Sequence, residues 1–236
     1  MIEFKKGNIF TTECDVIVNT VNCSGIMGAG IAYEFRLRYP DMFYKYKELC
    51  DKKLLMIGRL WIYSLSEDDI FKEKYRRVLN FPTKNFWKLP SKEEYLEKGL
   101  LKFVETYKEK NITSIAFPLL GASKGGLSEE VSIKLMEKYL SELDIKIEIW
   151  RFDKTTVDDV YEDFKVKFQE ISDNIIKEES GLGLQYIKRI RAALKNDDIR
   201  TMSGLSNVKG IGEVTLEKSF KYIRKHKELS TNLKLF

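Results

Sequence analysis

At 236 residues, 43% of them hydrophobic and 33% charged, the chain is long enough to bury a core and polar enough to stay in water. No apolar run reaches the length of a membrane span and no N-terminal apolar segment reads as a signal peptide, so a cytoplasmic protein without a membrane partner is expected. The net charge of +5 is uneven: residues 1–173 hold 28 Lys and Arg against 29 Asp and Glu, residues 174–236 hold 13 against 7, and a basic tail suits either an anionic partner or a solvated lysine-rich surface.

In chain order, Ile2 to Phe10 reads as a strand with a turn at Gly7-Asn8-Ile9, and Asp15 to Asn19 as a buried strand. Gly30 to Tyr39 reads as a helix closed by Pro40, and Asp41 to Lys52 as another. Gly58 to Ser64 alternates like a strand, and Arg77 to Phe81 is a strand ended by Pro82. Ser91 to Lys108 is helical, with Tyr95, Leu96, Leu100, Phe103 and Val104 on one side. Ser114 to Leu120 is a buried strand, Ser128 to Leu143 a helix, and Ile145 to Phe152 an alternating strand. Strands alternating with helices define an α/β fold with helices on both faces of a sheet, in which ligands bind beyond the carboxyl ends of the strands.

Two glycine loops fall at such ends. In Asp15 to Ala32 a hydrophobic run breaks at Asn19 and Asn22 and passes through Gly25, Gly28, Ala29 and Gly30 into a helix. Glycines let a ligand approach the backbone, and free N–H groups at a helix start favour anions, so the layout suits phosphates. Gly28 and Gly30 lack the third glycine of the dinucleotide fingerprint, and no Gly-Lys-Ser/Thr of a P-loop follows. An ordinary strand-to-helix turn is the alternative. The second loop, Gly121 to Leu127, again lies between a strand and a helix, and two such loops can clasp a diphosphate. Lys124 there either screens charge or points to solvent. Cys14, Cys23 and Cys50 are odd in number and lack metal or redox spacing, and His226 is the single histidine, an expected surface residue. A zinc hydrolase or a His-based triad is therefore disfavoured, and no metal or cofactor is expected.

Together these segments resemble the macrodomain, the ADP-ribose-binding fold. Gly7-Asn8-Ile9 is similar to the family's Gly-Asp-Ile, VNTVN to its Val-Asn-Ala-Ala-Asn, PLLGASKGGL to its diphosphate loop, and the strand ending Trp150-Arg151-Phe152 to its last strand. The resemblance implies a three-layer α/β/α domain with a mixed sheet over residues 1–155. It also implies contacts to ADP-ribose from Asn8, Ile9, Asn19, Asn22, Met27, Gly28, Ala29, Gly30, Ile31 and Thr83, from Gly121, Ala122, Ser123, Lys124, Gly125, Gly126 and Leu127, and from Phe152. Phe152 is otherwise a core aromatic at a strand end. The family's adenine-recognising Asp falls at Asn8, which carries no charge but donates and accepts hydrogen bonds. The carboxylate some relatives place in the second loop falls at Gly125.

The segments VNTVNCSGIMGAGIAYEFRLRYP and NFPTKNFWK resemble the DarG antitoxin macrodomains and their relative, the terminal ADP-ribose glycohydrolase, where Phe-Pro-Thr-Lys presents a lysine needed to remove ADP-ribose. Lys84 matches that lysine. A lysine of lowered pKa can attack the anomeric carbon through an imine-like adduct, whereas a charged one stabilises the leaving group or binds phosphate. Both roles stand. The resemblance implies an enzyme removing ADP-ribose from modified DNA, thymidine being the implied base. Its alternatives are a hydrolase of ADP-ribose on protein acidic residues, an O-acyl-ADP-ribose deacylase, and a non-catalytic reader that has no use for Lys84. The implied partners are ADP-ribose, ADP-ribosylated DNA and a cognate DNA-modifying toxin.

Beyond Phe152 the sequence changes character. Thr155 to Lys177 reads as a helix with Val157, Val160, Tyr161, Phe164 and Phe168 on one face, so residues 156–180 are expected as a helical linker. Residues 181–236 are expected as a basic helical region. There Gln185 to Leu194 forms a helix, and the Gly210-Ile211-Gly212 turn between apolar helical patterns resembles a helix-hairpin-helix. Lys209, Gly210 and Gly212 would hold a DNA phosphate without reading sequence. A plain helix–Gly–helix turn and a toxin-binding tail are the other readings.

Overall fold

The computed structural model describes residues 1–66, 74–153, 155–156 and 158–232, with backbone alone at 159 and 225–232. The chain divides into two compact units, Met1–Asp153 and Lys154–Phe236. In the first, six strands, β1 (Ile2–Gly7), β2 (Val16–Asn22), β3 (Trp61–Ser64), β4 (Arg77–Lys84), β5 (Ser114–Pro118) and β6 (Lys146–Phe152), form one sheet in the order β1-β6-β5-β2-β4-β3. All neighbours pair in parallel except β3, which is antiparallel to β4 at the edge. Among the described residues four α-helices cover the sheet: α1 (Gly30–Arg38), α2 (Pro40–Asp51), α3 (Glu93–Thr106) and α4 (Glu129–Leu140).

The layers follow from strand alternation. Val16, Val18, Leu79, Phe81, Ile115, Phe117, Ile147 and Ile149 pack with Leu96, Leu100 and Phe103 of α3 and Leu135, Met136 and Leu140 of α4. Their neighbours Ile17, Val21, Val78, Ala116 and Trp150 pack with Phe35 of α1 and Met42 and Tyr46 of α2. Strands buried on both faces read as unbroken apolar runs, which is why Val16-Ile17-Val18 carries no polar interruption. This is the expected three-layer α/β/α arrangement with a mixed sheet.

Several element boundaries differ from expectation; β5 ends at Pro118 and not Leu120, and α4 at Leu140 and not Leu143. Pro82 does not end its strand, which runs on to Lys84. The last pair on the β3 side is Asn80 with Trp61, so Pro82, lacking an N–H, lies past the end of that ladder. Beta strand β3 begins only at Trp61, because Gly58 has φ +80 and Arg59 N–H closes a turn onto Met56 O. Strand β2 extends past Asn19 to Asn22, with a register shift at its last residue.

In the second unit, the single helix expected over Thr155 to Lys177 is two, α5 (Asp159–Glu170) and α6 (Asp173–Ser180). Ser172 caps α6 by accepting from Ile175 N–H, and the Arg191 guanidinium holds the break through Asp173 at 2.6 Å and the carbonyls of Gln169 and Ile171. Helices α7 (Leu184–Ala193), α8 (Met202–Ser206) and α9 (Glu213–Asn232) complete the unit. Phe164 packs against both Phe168 and Phe220, and Tyr222 donates to Glu179. The expected helix-face position Val157 and the side chain of His226 lie outside the described residues.

Glu148 of β6 is a fully buried carboxylate in the first unit. Its Oε1 meets Lys5 at 2.6 Å and Lys146 at 2.9 Å, and its Oε2 accepts from Thr12 at 2.6 Å and Trp150 Nε1 at 2.9 Å. Burial alone would raise its pKa, but the hydrogen bonds from Lys5, Thr12, Lys146 and Trp150 outweigh it and bring the pKa down to about 2. The folded value lies below the ordinary 4.5, so the stabilisation is complete above about pH 4.5 and is lost as pH falls towards 2. Glu148→Gln should cost on the order of 2 kcal/mol at neutral pH, with the solvent-screened lysine partners discounted. The gap between wild type and variant should close between pH 4.5 and 2 in denaturant melts; melts that stay parallel through that window would contradict the assignment.

Candidate functional site

Because β1, β6, β5, β2 and β4 run in parallel, their carboxyl ends share one edge of the sheet. From Gly7 at the end of β1 to Lys84 at the end of β4 is four strand spacings, roughly 19 Å at about 4.8 Å each. That edge suits an elongated ligand.

At its centre, β2 delivers Asn22. The buried Asn22 Oδ1 accepts from Ser24 N–H at 3.0 Å, Ser24 Oγ at 3.1 Å and Ile26 N–H at 3.3 Å, while its Nδ2 donates to Ile26 O at 2.6 Å. Tyr46 OH of α2 donates to Asn22 O at 2.7 Å. Asn22 thus shapes the loop from within. Asn19 is wholly buried, with Nδ2 donating to Asn80 Oδ1 at 3.0 Å, and it underlies the buried Met27. Beyond Met27 the chain surfaces through Gly28 and the exposed Ala29 into Gly30 and Ile31, the first residues of α1. Gly30 has φ +58, a left-handed conformation that disfavours any side chain.

The second loop touches the first: a Cβ at Gly30 would stand 3.6 Å from Lys124 Cγ. Ala122 leads into a short 3-10 turn over Ser123–Gly125, and Gly126 leaves it left-handed. Ser123 has φ +53, a strained value for a residue with a side chain. Leu127 N–H closes the loop onto Gly121 O at 3.1 Å, and Ser91 N–H holds Gly125 O at 2.8 Å. A Cβ at Gly125 would lie 2.8 Å from Ser91 Oγ, so a side chain at this position would have to displace the Ser91 hydroxyl.

Lys84 comes from the end of β4, after the buried Thr83, whose hydroxyl donates to Val21 O at 3.5 Å. Half-buried, Lys84 donates from Nζ to Lys124 O at 2.5 Å. Burial, and secondarily the positive charge of Lys124, lower its pKa below the ordinary lysine value. Both effects favour the neutral amine, the nucleophilic form.

At the far end, Asn8 Oδ1 accepts from Phe10 N–H at 3.0 Å and caps the turn containing the buried Ile9. Phe152, paired with Gly7, is 61% exposed, so it is a surface ring and not a core aromatic. The structure therefore brings together Asn22, Met27 to Gly30, Lys84 and Gly121 to Leu127, and sets Asn8, Ile9 and Phe152 at the other end of the same edge. Sequence reading missed Tyr46, Asn80 and Ser91, which reach the site through hydrogen bonds from other elements and carry no local signal. It also missed Phe86 and Trp87, two aromatics directly after the Pro-Thr-Lys segment.

In the second unit, α8 and α9 flank the turn holding Lys209, Gly210 and Gly212. Lys209 is exposed, Gly210 has φ +85, and Ile211 is buried. Arg189 lies against the turn, its Nη1 2.7 Å from where a Cβ of residue 210 would be. Among the described residues no group of three or more His, Cys, Asp or Glu could hold a metal ion, and the three cysteines are free thiols. No described helix is long and apolar enough to cross a membrane.

A sheet with one parallel carboxyl edge, two glycine loops and VNTVN at its centre defines a class of protein. The chain belongs to the macrodomain family, whose Macro domain model matches residues 18–136, half of its length. Within that family it is similar to the DNA ADP-ribosyl glycohydrolase of Mycobacterium tuberculosis, with 37% identity over 140 residues, 59% of this chain and 39% of that protein. In structure it is similar to the macrodomain of Mycobacterium tuberculosis DarG, with 34% identity, 64% of this chain and 97% of that one covered, and a TM-score of 0.59. It is likewise similar to Thermosipho africanus DarTG in complex with ADP-ribose, with 33% identity, 65% and 42% covered, and a TM-score of 0.58. The chain spans about two fifths of the length of the curated relatives it matches.

Proposed function

We propose that the chain is a DNA ADP-ribosylglycohydrolase, releasing ADP-ribose from a modified base, thymidine being the base that the likeness to DarG macrodomains favours. The single observation that carries this reading is Lys84: a half-buried lysine of lowered pKa between two backbone loops suited to a diphosphate. A pure reader of ADP-ribose has no use for such an amine. Support comes from the name of the Mycobacterium tuberculosis relative and from the ADP-ribose bound by the Thermosipho africanus protein.

In this reading ADP-ribose lies along the edge, its adenine towards Asn8, Ile9 and Phe152. Its diphosphate lies between Gly28 to Ile31 and Gly121 to Leu127, and its distal ribose near Asn22, Thr83 and Lys84. The neutral Lys84 Nζ attacks the anomeric carbon, the bond to the base nitrogen breaks, and the base leaves with a proton. Water then hydrolyses the imine-like adduct, freeing ADP-ribose and the amine. The chemistry needs no metal and no cofactor, and we place it in the cytoplasm. A cognate DNA-modifying toxin is the protein partner the DarG likeness favours. The second unit is read as the part that holds the DNA backbone, with the turn at Lys209, Gly210 and Gly212, and Arg189 beside it, meeting a phosphate.

Lys84→Ala should still bind ADP-ribose with at most a modest loss, since the loops and Asn22 are untouched. Its hydrolysis of ADP-ribosylated DNA should fall about a hundredfold or more, roughly 3 kcal/mol of transition-state stabilisation. Lys84→Arg should not rescue it, because arginine keeps its charge. Rescue would make Lys84 a fixed cation, and normal turnover by the Ala variant would make it a bystander.

For the second unit, Lys209→Glu should weaken binding of unmodified DNA and flatten its salt dependence, reducing the slope of log affinity against log salt by about one. Affinity for ADP-ribose should not change. An unaltered salt slope, read by anisotropy titration, would remove this turn from the DNA contact and favour a toxin-binding tail.

A further inference from the structure

Immediately after Lys84 the chain exposes two aromatic rings. Phe86 is 44% and Trp87 42% exposed, with Leu89 at 56% beside them. Leaving such side chains partly in water forgoes hydrophobic burial. The segment is nevertheless held in place. Trp87 N–H donates to Ser24 Oγ at 3.1 Å, Leu89 N–H to Phe86 O at 3.1 Å, and Ser91 N–H to Gly125 O at 2.8 Å. The two ring centroids stand 6.2 Å apart, and the Lys88 ammonium sits 5.0 Å from the centre of the Trp87 ring. A fixed, solvent-facing aromatic pair next to a reactive amine is a binding surface, not a gap in the core.

Charge indicates what occupies it. The three segments that meet here, residues 23–30, 84–92 and 119–128, contain no Asp or Glu; beside Lys84 they carry Lys88, Lys124 and Lys92, the last paired with Glu94 at 3.7 Å. A partner offering flat apolar faces together with negative charge complements both features, and single-stranded nucleic acid has both: bases that stack on aromatic rings and phosphates that pair with lysines. A duplex keeps its base faces inside the stack, so it cannot use the rings.

We propose that Phe86 and Trp87 form a stacking platform for the unmodified base adjacent to the ADP-ribosylated one in single-stranded DNA, with Lys88 facing the intervening phosphate. This rests on the DNA reading above and adds a determinant for the strand itself: the enzyme recognises more than the ADP-ribosyl nucleotide.

The test uses the full chain, Trp87→Ala and Trp87→Phe. Each is assayed on an ADP-ribosylated single-stranded oligonucleotide and on the ADP-ribosylated mononucleotide of the same base, and each is titrated with the unmodified oligonucleotide. The Ala variant should lose about tenfold in kcat/KM on the oligonucleotide, through KM, and nothing on the mononucleotide. Its affinity for the unmodified strand should fall by a similar factor. Trp87→Phe, which keeps a ring, should retain most of both. Equal loss on oligonucleotide and mononucleotide, or an unmodified strand bound as tightly by the Ala variant as by wild type, would overturn the platform and leave the patch to a protein partner. Should wild type hydrolyse neither DNA substrate, the DNA reading fails by itself. The strand titration then still decides the platform, since a drop in Trp87→Ala supports it and no drop refutes it.

Discussion

The amide of Asn22 is the interaction on which the site depends. A buried primary amide must find partners for both its oxygen and its nitrogen. Asn22 finds them in the backbone of Ser24 and Ile26, and Tyr46 clamps its carbonyl from α2. Those bonds, each worth about 1 kcal/mol, turn the end of β2 sharply enough for Met27 to sink and for Gly28 to Gly30 to surface. Ser24, fixed in the same turn, receives Trp87 N–H, and Cys23 N–H donates to Lys84 O at 3.0 Å. One side chain therefore sets the α1 loop and the Lys84 segment in register with each other.

The electrostatics follow from that register. Lys84 is drawn against a loop whose own lysine is close, and no carboxylate lies in residues 23–30, 84–92 or 119–128 to stabilise its ammonium. Burial and Lys124 both act on it in one direction. A side chain at position 125 would have to displace the Ser91 hydroxyl, 2.8 Å from where its Cβ would stand.

Much of this was legible in the sequence. The strand alternation, both glycine loops and the lysine after Phe-Pro-Thr are local patterns, and local patterns survive the absence of coordinates. Pro82 was misjudged because a proline is excluded only where a neighbouring strand needs its N–H, and where the β3 pairing stops is a tertiary fact. The break at Ser172 was hidden because hydrophobic spacing continued across it, although Ser172-Asp173 is a helix-start signal. Tyr46, Asn80 and Ser91 reach the site from other elements, and nothing in their own neighbourhoods marks them. Phe86 and Trp87 were visible as residues, but exposure alone distinguishes a surface ring from a core one.

On the proposed reading, DNA and not protein carries the ADP-ribose that this chain removes. The most direct measurement offers two labelled substrates in parallel under the same conditions, ADP-ribosylated single-stranded DNA and a protein ADP-ribosylated on acidic residues, and follows the release of free ADP-ribose. Release from the DNA, with the protein keeping its label, is the result predicted here. Release from the protein, with the DNA left modified, would contradict it.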